Sequence, residues 1–251
     1  MAGHNKWSKV KRLKGALDAK RGKLFSRFSK EITVAARLGG GNPSMNPRLR
    51  AAVQSARSQS MPNDNIERAI RKGTGESGSQ AVEEMVYEGY APGGVALLVE
   101  AATDNKNRTA ADMRLIFTKH NGNLGVPGSV SFMFHRKGQI TVPVAVTEED
   151  RLLEIVLEAG AEELTSDDEH HVIITAPDQL YTVAESLKKA TIEPDAQKLT
   201  YIPQNSVTVA DEQTATQVLK LCDALDDCDD VLSVHANFDI PDHVLAKVQD
   251  N

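Results

Sequence analysis

Positive charge is confined to one end of a net-negative chain, and that division limits what the chain can fold into. Residues 1–75 hold 17 Lys/Arg and 4 Asp/Glu, a net of +13, whereas the remainder holds 12 Lys/Arg and 31 Asp/Glu, a net of −19. Sorting of this kind implies separately folded parts, and 251 residues is long for one core. The Gly- and Ser-rich segment GTGESGSQ, Gly73 to Gln80, lies at the cut and reads as a linker. The stretch KWSKVKRLKGALDAKRGKLFSR, residues 6–27, carries nine Lys or Arg and one acid, Asp18. A face of one sign repels itself, so it points to an anionic partner such as nucleic acid.

The basic part reads as three amphipathic helices. In the first, Leu24, Phe25, Phe28, Ile32, Ala35 and Ala36 share one face at helical spacing, with Lys20, Lys23, Arg27, Lys30 and Arg37 opposite. Gly39, Gly40 and Gly41 end it. Asn46 caps a second helix with Pro47 in its first turn, and a third follows Pro62. The candidate nucleic-acid contacts are Lys6, Lys9, Lys11, Arg12, Lys14, Lys20, Arg21, Lys23, Arg27, Lys30, Arg37, Arg48, Arg50, Arg68, Arg71 and Lys72. On this register Phe28→Ala is expected to cost ~3–5 kcal/mol if the ring is fully buried. Arg27→Ala is expected to leave stability almost unchanged and to weaken nucleic-acid binding. The acidic remainder is expected to face away from the nucleic acid or to bind protein.

After the linker, strand and helix patterns alternate. MVYEGYAPGGVALLVEAAT gives two strands around a turn, a helix follows near 108–120, and SVSFMF reads as the next strand. Residues 135–204 then read β-α-β-β-α-β, a ferredoxin-like unit. The leftover strand-helix-strand of 205–240 complements 80–134. The expected fold is therefore α+β and multidomain: a basic three-helix domain with its linker at 1–79, followed by two ferredoxin-like α/β domains, one inserted in the other. The inserted domain is 135–204, the discontinuous one is 80–134 plus 205–240, and 241–251 is a C-terminal tail.

No catalytic, dinucleotide or phosphate-loop signature is present, which points to a non-enzyme without cofactor, metal or small-molecule substrate. SDDEHH, Ser166 to His171, groups carboxylates with imidazoles but reads as a polar hairpin turn. Cys222 falls on an apolar helix face and Cys228 in the acidic turn DDCDD, a usage that suits a reducing, cytosolic compartment. No apolar run is long enough to span a bilayer. The loop TDNKNRTAADMR offers Lys106, Asn107 and Arg108 as a second contact, with Asn107 as a helix cap.

Together MAGHNKW, DAKRGKLF, EITVAARLGGGNP, NPRLR, MPNDNIERAIRKGTG, YEGYAPGGVALLVE, TDNKNRTAADMR, GNLGVPGSVSFMF and IPQN resemble the YebC/PmpR family over nearly the whole chain. The chain departs from the family pattern at Arg12-Leu13 and at Pro127. The resemblance implies a helical domain followed by two α/β domains and a DNA-binding transcriptional regulator. It equally implies the alternative the family contains: a ribosome-associated translation factor that binds ribosomal or transfer RNA and relieves stalls at proline runs. The third helix carries no helix-turn-helix signature, so the residues themselves favour phosphate contact over base readout.

Overall fold

The computed structural model describes residues 17–78 and 80–249, and the protein is of mixed α+β type. It divides into two compact units, one built from the chain up to Phe134 and from Pro203 onward, the other from His135–Ile202. Three helices come first: α1 (Leu17–Gly39), α2 (Pro47–Ser58) and α3 (Asn63–Gly73). Next are β1 (Glu83–Ala91), β2 (Val95–Thr103), α4 (Lys106–Lys119) and β3 (Asn123–Leu124). Then follow β4 (Phe134–Pro143), α5 (Glu149–Glu158), β5 (Ala161–Ser166), β6 (His170–Thr175), α6 (Leu180–Lys189) and β7 (Ala196–Pro203). The chain closes with β8 (Val207–Thr208), α7 (Glu212–Asp226), β9 (Val231–Ala236), β10 (Phe238–Asp239) and α8 (Asp242–Gln249).

The helical core forms where the apolar spacing puts it. Ile32, Ala35 and Ala36 of α1 meet Leu49, Ala52, Val53 and Ala56 of α2 and Ile66 and Ala69 of α3. Phe25 and Phe28 pack on the edge of this core and are only half-buried, so the full-burial cost expected for Phe28→Ala does not apply. Asn46 joins the helices. Its Oδ1 accepts the Leu49 N–H at 3.1 Å and caps α2, while its Nδ2 donates to the carbonyls of Ala35 at 2.7 Å and Gly40 at 2.9 Å. A Cβ on Gly39 would lie 2.6 Å from that amide nitrogen, and Gly40 has φ +84°. The glycine run thus makes room for a buried amide as well as ending α1.

The four-stranded sheet of the larger unit has the order β3-β1-β2-β9, with the β1–β2 hairpin at its centre. Val95, Leu97 and Val99 of β2 pack against Met113 and Phe117 of α4 and against Val218, Leu219, Cys222 and Leu225 of α7. The four-stranded sheet of the smaller unit has the order β5-β6-β4-β7, which is the ferredoxin-like arrangement for β-α-β-β-α-β. Its core is Ile140, Val142, Leu152, Val156, Ile173, Leu180, Val183 and Leu187. Both sheets share the two-layer plan of four strands and two helices, but the strand order in the larger unit differs.

Two segments depart from the sequence expectation. Ser131–Met133 is a 3₁₀ turn rather than a strand, and the edge position is taken by β3 against β1. The cause is Glu88. Its buried carboxylate accepts the backbone N–H groups of Gly128, Val130 and Ser131, each at 2.7 Å, so these amides cannot join a ladder. Burial alone would raise the Glu88 pKa, but those three N–H groups outweigh it and hold the group below the ordinary carboxylate value. Residues 242–249, expected to belong to a tail, form α8, which packs on α7 with Val244 buried in the sheet core.

The acidic remainder does not turn wholly away from the basic helix. The turn after α7 receives α1: Lys23 Nζ lies 2.6 Å from Asp227 Oδ1, Arg27 Nη2 3.0 Å from Asp226 Oδ1, and Lys30 Nζ 2.6 Å from Asp230 Oδ1. Arg27 also donates to the Asp226 carbonyl, and Lys30 to the Asp229 carbonyl at 2.6 Å. The Asp226 carbonyl sits at the end of α7, where backbone acceptors lack helical partners and the dipole is negative, so cations are favoured there, and Asp229 lies in the turn that follows. The apolar part of the contact is small, comprising Val34, Val82, Ala102 and Leu232. Arg27 and Asp226 side chains are only 19% and 15% exposed, so Arg27 is a docking residue, contrary to the solvent-facing role its spacing suggested.

Three outcomes follow from this packing. Asn46→Ala should lower stability by roughly 2 kcal/mol, since it removes a cap and leaves two carbonyls unserved, measurable by denaturant melts. Arg27→Ala should lower Tm by about 5 °C, and Arg27→Ala with Asp226→Asn should be less than additive in the same scan. An unchanged Arg27→Ala melt would contradict the docking role. Asp230 sets the pH response. Burial would raise its pKa, but hydrogen bonds from Lys30, Thr109 and Arg108 prevail and bring it to about 2. Folded Asp230 therefore binds protons less readily than unfolded Asp, whose pKa is ~3.9. Its contribution of roughly 2 kcal/mol is complete above about pH 4 and disappears as pH falls toward 2. Asp230→Asn should flatten acid unfolding between those limits.

Candidate nucleic-acid interface

The cations singled out by sequence divide sharply once their partners are known. Lys6, Lys9, Lys11, Arg12 and Lys14 lie outside the described residues, and only the backbone of Lys20 and Arg21 is described. Lys23, Arg27 and Lys30 hold α1 to the acidic turn. Arg37 donates to the Val82 carbonyl at 2.6 Å. Arg48 bridges Glu31 at 2.8 Å and Glu84 at 2.5 Å. Lys72 makes a long contact of 3.9 Å with Asp104.

The loop offered as a second contact is organised around Asp230. Arg108 Nη2 lies 3.0 Å from Asp230 Oδ2 and 3.2 Å from Asp104 Oδ1, and Thr109 Oγ1 donates to Asp230 at 2.7 Å. Lys106 pairs with Glu83 at 2.7 Å. The helix cap is Asn105, whose side chain accepts the Arg108 N–H at 3.1 Å, and Asn107 is exposed instead. The cap moves by two residues because the hydrogen bond from the Asn105 N–H to Thr103 Oγ1 at 2.9 Å fixes the entry to α4.

Exposed and without an ion pair among the described residues are Arg50, Arg68 and Arg71, together with Arg57, which sequence reasoning passed over. Arg50, Gln54 and Arg57 follow one another at steps of four and three on the outer face of α2. That spacing was readable, but Arg57 lies in the last turn, where favourable interaction with the helix dipole is the ordinary explanation for a cation. Asn65, Arg68 and Lys72 form a second row on α3, facing a cleft of about 510 Å³ between α1, α3 and the start of α4. The N-terminal half of α3 also exposes Asp64 and Glu67.

Other polar clusters serve the fold. His171 contacts Ser166 Oγ at 2.6 Å through Nδ1 and the Thr147 carbonyl at 3.0 Å through Nε2, and SDDEHH forms the β5–β6 turn. Among the described residues no group of three or more His, Cys, Asp or Glu is placed to hold a metal ion. Ser233, His235 and Glu100 meet on strands β9 and β2, but hydroxyl and carboxylate both contact the same ring nitrogen, at 3.1 and 2.9 Å. A proton relay needs them on opposite nitrogens, so this trio is not a triad. Among the described residues, no helix is long and apolar enough to cross a membrane.

Comparison with known proteins places these features in a family. Residues 5–76 match the TACO1/YebC protein N-terminal domain, and residues 82–238 match the TACO1/YebC second and third domain. A probable transcriptional regulatory protein of Aquifex aeolicus is 51% identical over 99% of this chain and 100% of its own length. One of Sulfurihydrogenibium sp. is 52% identical over the same shares. The crystal structure of a conserved hypothetical protein from Aquifex aeolicus superposes with a TM-score of 0.85 at 51% identity, covering 90% of this chain and 93% of that one. The two domain matches, the full-length relatives and the shared fold agree: the chain belongs to the TACO1/YebC family.

Proposed function

We propose that the protein is a nucleic-acid-binding regulator of gene expression that works by binding rather than by catalysis. The observation that carries this is the set Arg50, Arg57, Arg68 and Arg71, exposed on α2 and α3 without an acidic partner among the described residues. Most of the other described cations of the basic part are already paired with an acid or a carbonyl. Arginines kept apart from internal acids suit phosphate oxygens, which they contact with a planar fork of donors. The N-terminal cations Lys6 to Lys14 add to the positive charge of this part of the sequence. The regulatory names of the relatives support the same reading.

A second reading concerns which nucleic acid is bound. A helix that reads the major groove presents its N-terminal residues to base edges. Here that half of α3 carries Asp64 and Glu67, which would oppose phosphates lining a groove. This favours backbone contact with structured RNA, as in a ribosome-associated translation factor, over operator readout. Lys106, Asn107 and Arg108 then act as a secondary contact, with the paired cations first holding their loop in shape.

The test is a competition among a candidate promoter fragment, random DNA and purified ribosomes, across a salt series. Binding should weaken steeply with salt, and each of Arg50→Ala, Arg57→Ala and Arg71→Ala should reduce the salt slope by about 1. The preference for promoter over random DNA should stay below ~10³-fold, with ribosomes competing effectively. A strong promoter preference that ribosomes do not disturb would leave the transcriptional reading alone standing.

A further inference from the structure

The cleft beside α3 has a chemistry that general phosphate attraction does not use. We infer that it receives one nucleotide of a single-stranded nucleic acid, with the phosphate on Arg68 and Lys72 and the base against Phe25. This rests on the nucleic-acid reading above and assigns it a specific pocket.

At about 510 Å³ the cleft has the size of a small-ligand site and is too small to admit a duplex. On its α3 wall, Asn65, Arg68 and Lys72 recur at steps of three and four and so share one stripe. Arg68 has no acidic partner among the described residues, and the single contact of Lys72 is at 3.9 Å, so both cations can turn to an incoming anion. The α1 wall adds the hydroxyl-bearing Ser26 and Ser29, one helical turn apart.

Phe25 lines the same space with a half-buried ring seated on the helical core, which gives a fixed apolar surface for stacking. The innermost acid is already satisfied: Asp230 is held by Lys30, Arg108 and Thr109. A phosphate entering above it meets a neutralised carboxylate. Taken over the lining, Lys30, Arg68, Lys72 and Arg108 stand against Asp104 and Asp230, an excess of positive charge that matches a phosphodiester. Donors beside cations and one aromatic ring make a site for a nucleotide rather than for a bare anion.

The experiment uses the full chain and a short labelled single strand, read by fluorescence anisotropy. Unlabelled single strand, a duplex of equal length, a nucleoside monophosphate and inorganic phosphate serve as competitors. Phe25→Leu and Ser29→Trp should each weaken the single strand about tenfold or more and duplex binding about threefold or less, whereas Arg68→Ala with Lys72→Ala should weaken both, the single strand more. Thermal melts within a few degrees of wild type confirm that the variants fold, and Phe25→Leu keeps the apolar volume if Ser29→Trp does not. Arg50→Ala with Arg57→Ala should weaken both ligands alike. Single-strand affinity unmoved by the cleft variants overturns the assignment while the nucleic-acid reading survives. A monophosphate that competes as strongly as the strand overturns it in favour of a free-nucleotide site, and equal competition by inorganic phosphate reduces it to an anion site. A wild-type protein that binds neither strand nor duplex at low salt removes both readings together.

Discussion

Asp230 is the point at which the helical layer and the β3-β1-β2-β9 sheet are tied together. Its carboxylate receives Lys30 from α1, Arg108 from the start of α4 and the hydroxyl of Thr109, and its own carbonyl accepts the Ala102 N–H at 2.8 Å. A buried carboxylate is costly unless its oxygens are fully used, and here they are. Loss of both Lys30 and Arg108 would leave charge uncompensated in a side chain only 8% exposed. The seating of α1 and the entry to α4 both draw on this group, which also lines the cleft beside α3.

The electrostatic sorting of the sequence consequently has two readings that coexist. Part of the +13 of the basic end is answered within the molecule, because the turn containing Asp226, Asp227 and Asp230 offers α1 a row of anions at a negative helix end. Among the described residues of that end, the cations left without an acid or carbonyl partner lie on α2 and α3. A run of like charge on one helix is therefore insufficient to define a binding surface. What separates a docking cation from a binding cation is whether an acid distant in sequence has been brought within about 3 Å.

Local chemistry fixes the remaining geometry with few groups. Asn46 serves as a helix cap and as a donor to two carbonyls of the preceding helix end, which couples α1 to α2. Glu88 gathers three backbone N–H groups and shapes the loop before β4. Both are polar side chains whose burial is tolerable only because their hydrogen-bonding capacity is met. Each sits beside glycines at positions where a Cβ would collide or where φ is positive, namely Gly39 with Gly40, and Gly89 with Gly128.

The sequence alone determined the three helices, the alternating α/β remainder, the ferredoxin-like insertion and the family, since these rest on local periodicity, punctuation and motifs. It also named Arg50, Arg68 and Arg71 among the candidate contact cations. The partners of Lys23, Arg27, Lys30, Arg48 and Arg108 were decided by tertiary structure, because ion pairs across up to 204 residues of separation leave no periodic trace. The same holds for SVSFMF, whose strand-like pattern yields to a carboxylate 40 or more residues earlier. Helical spacing tells which way a side chain points, and only the folded chain supplies what it points at.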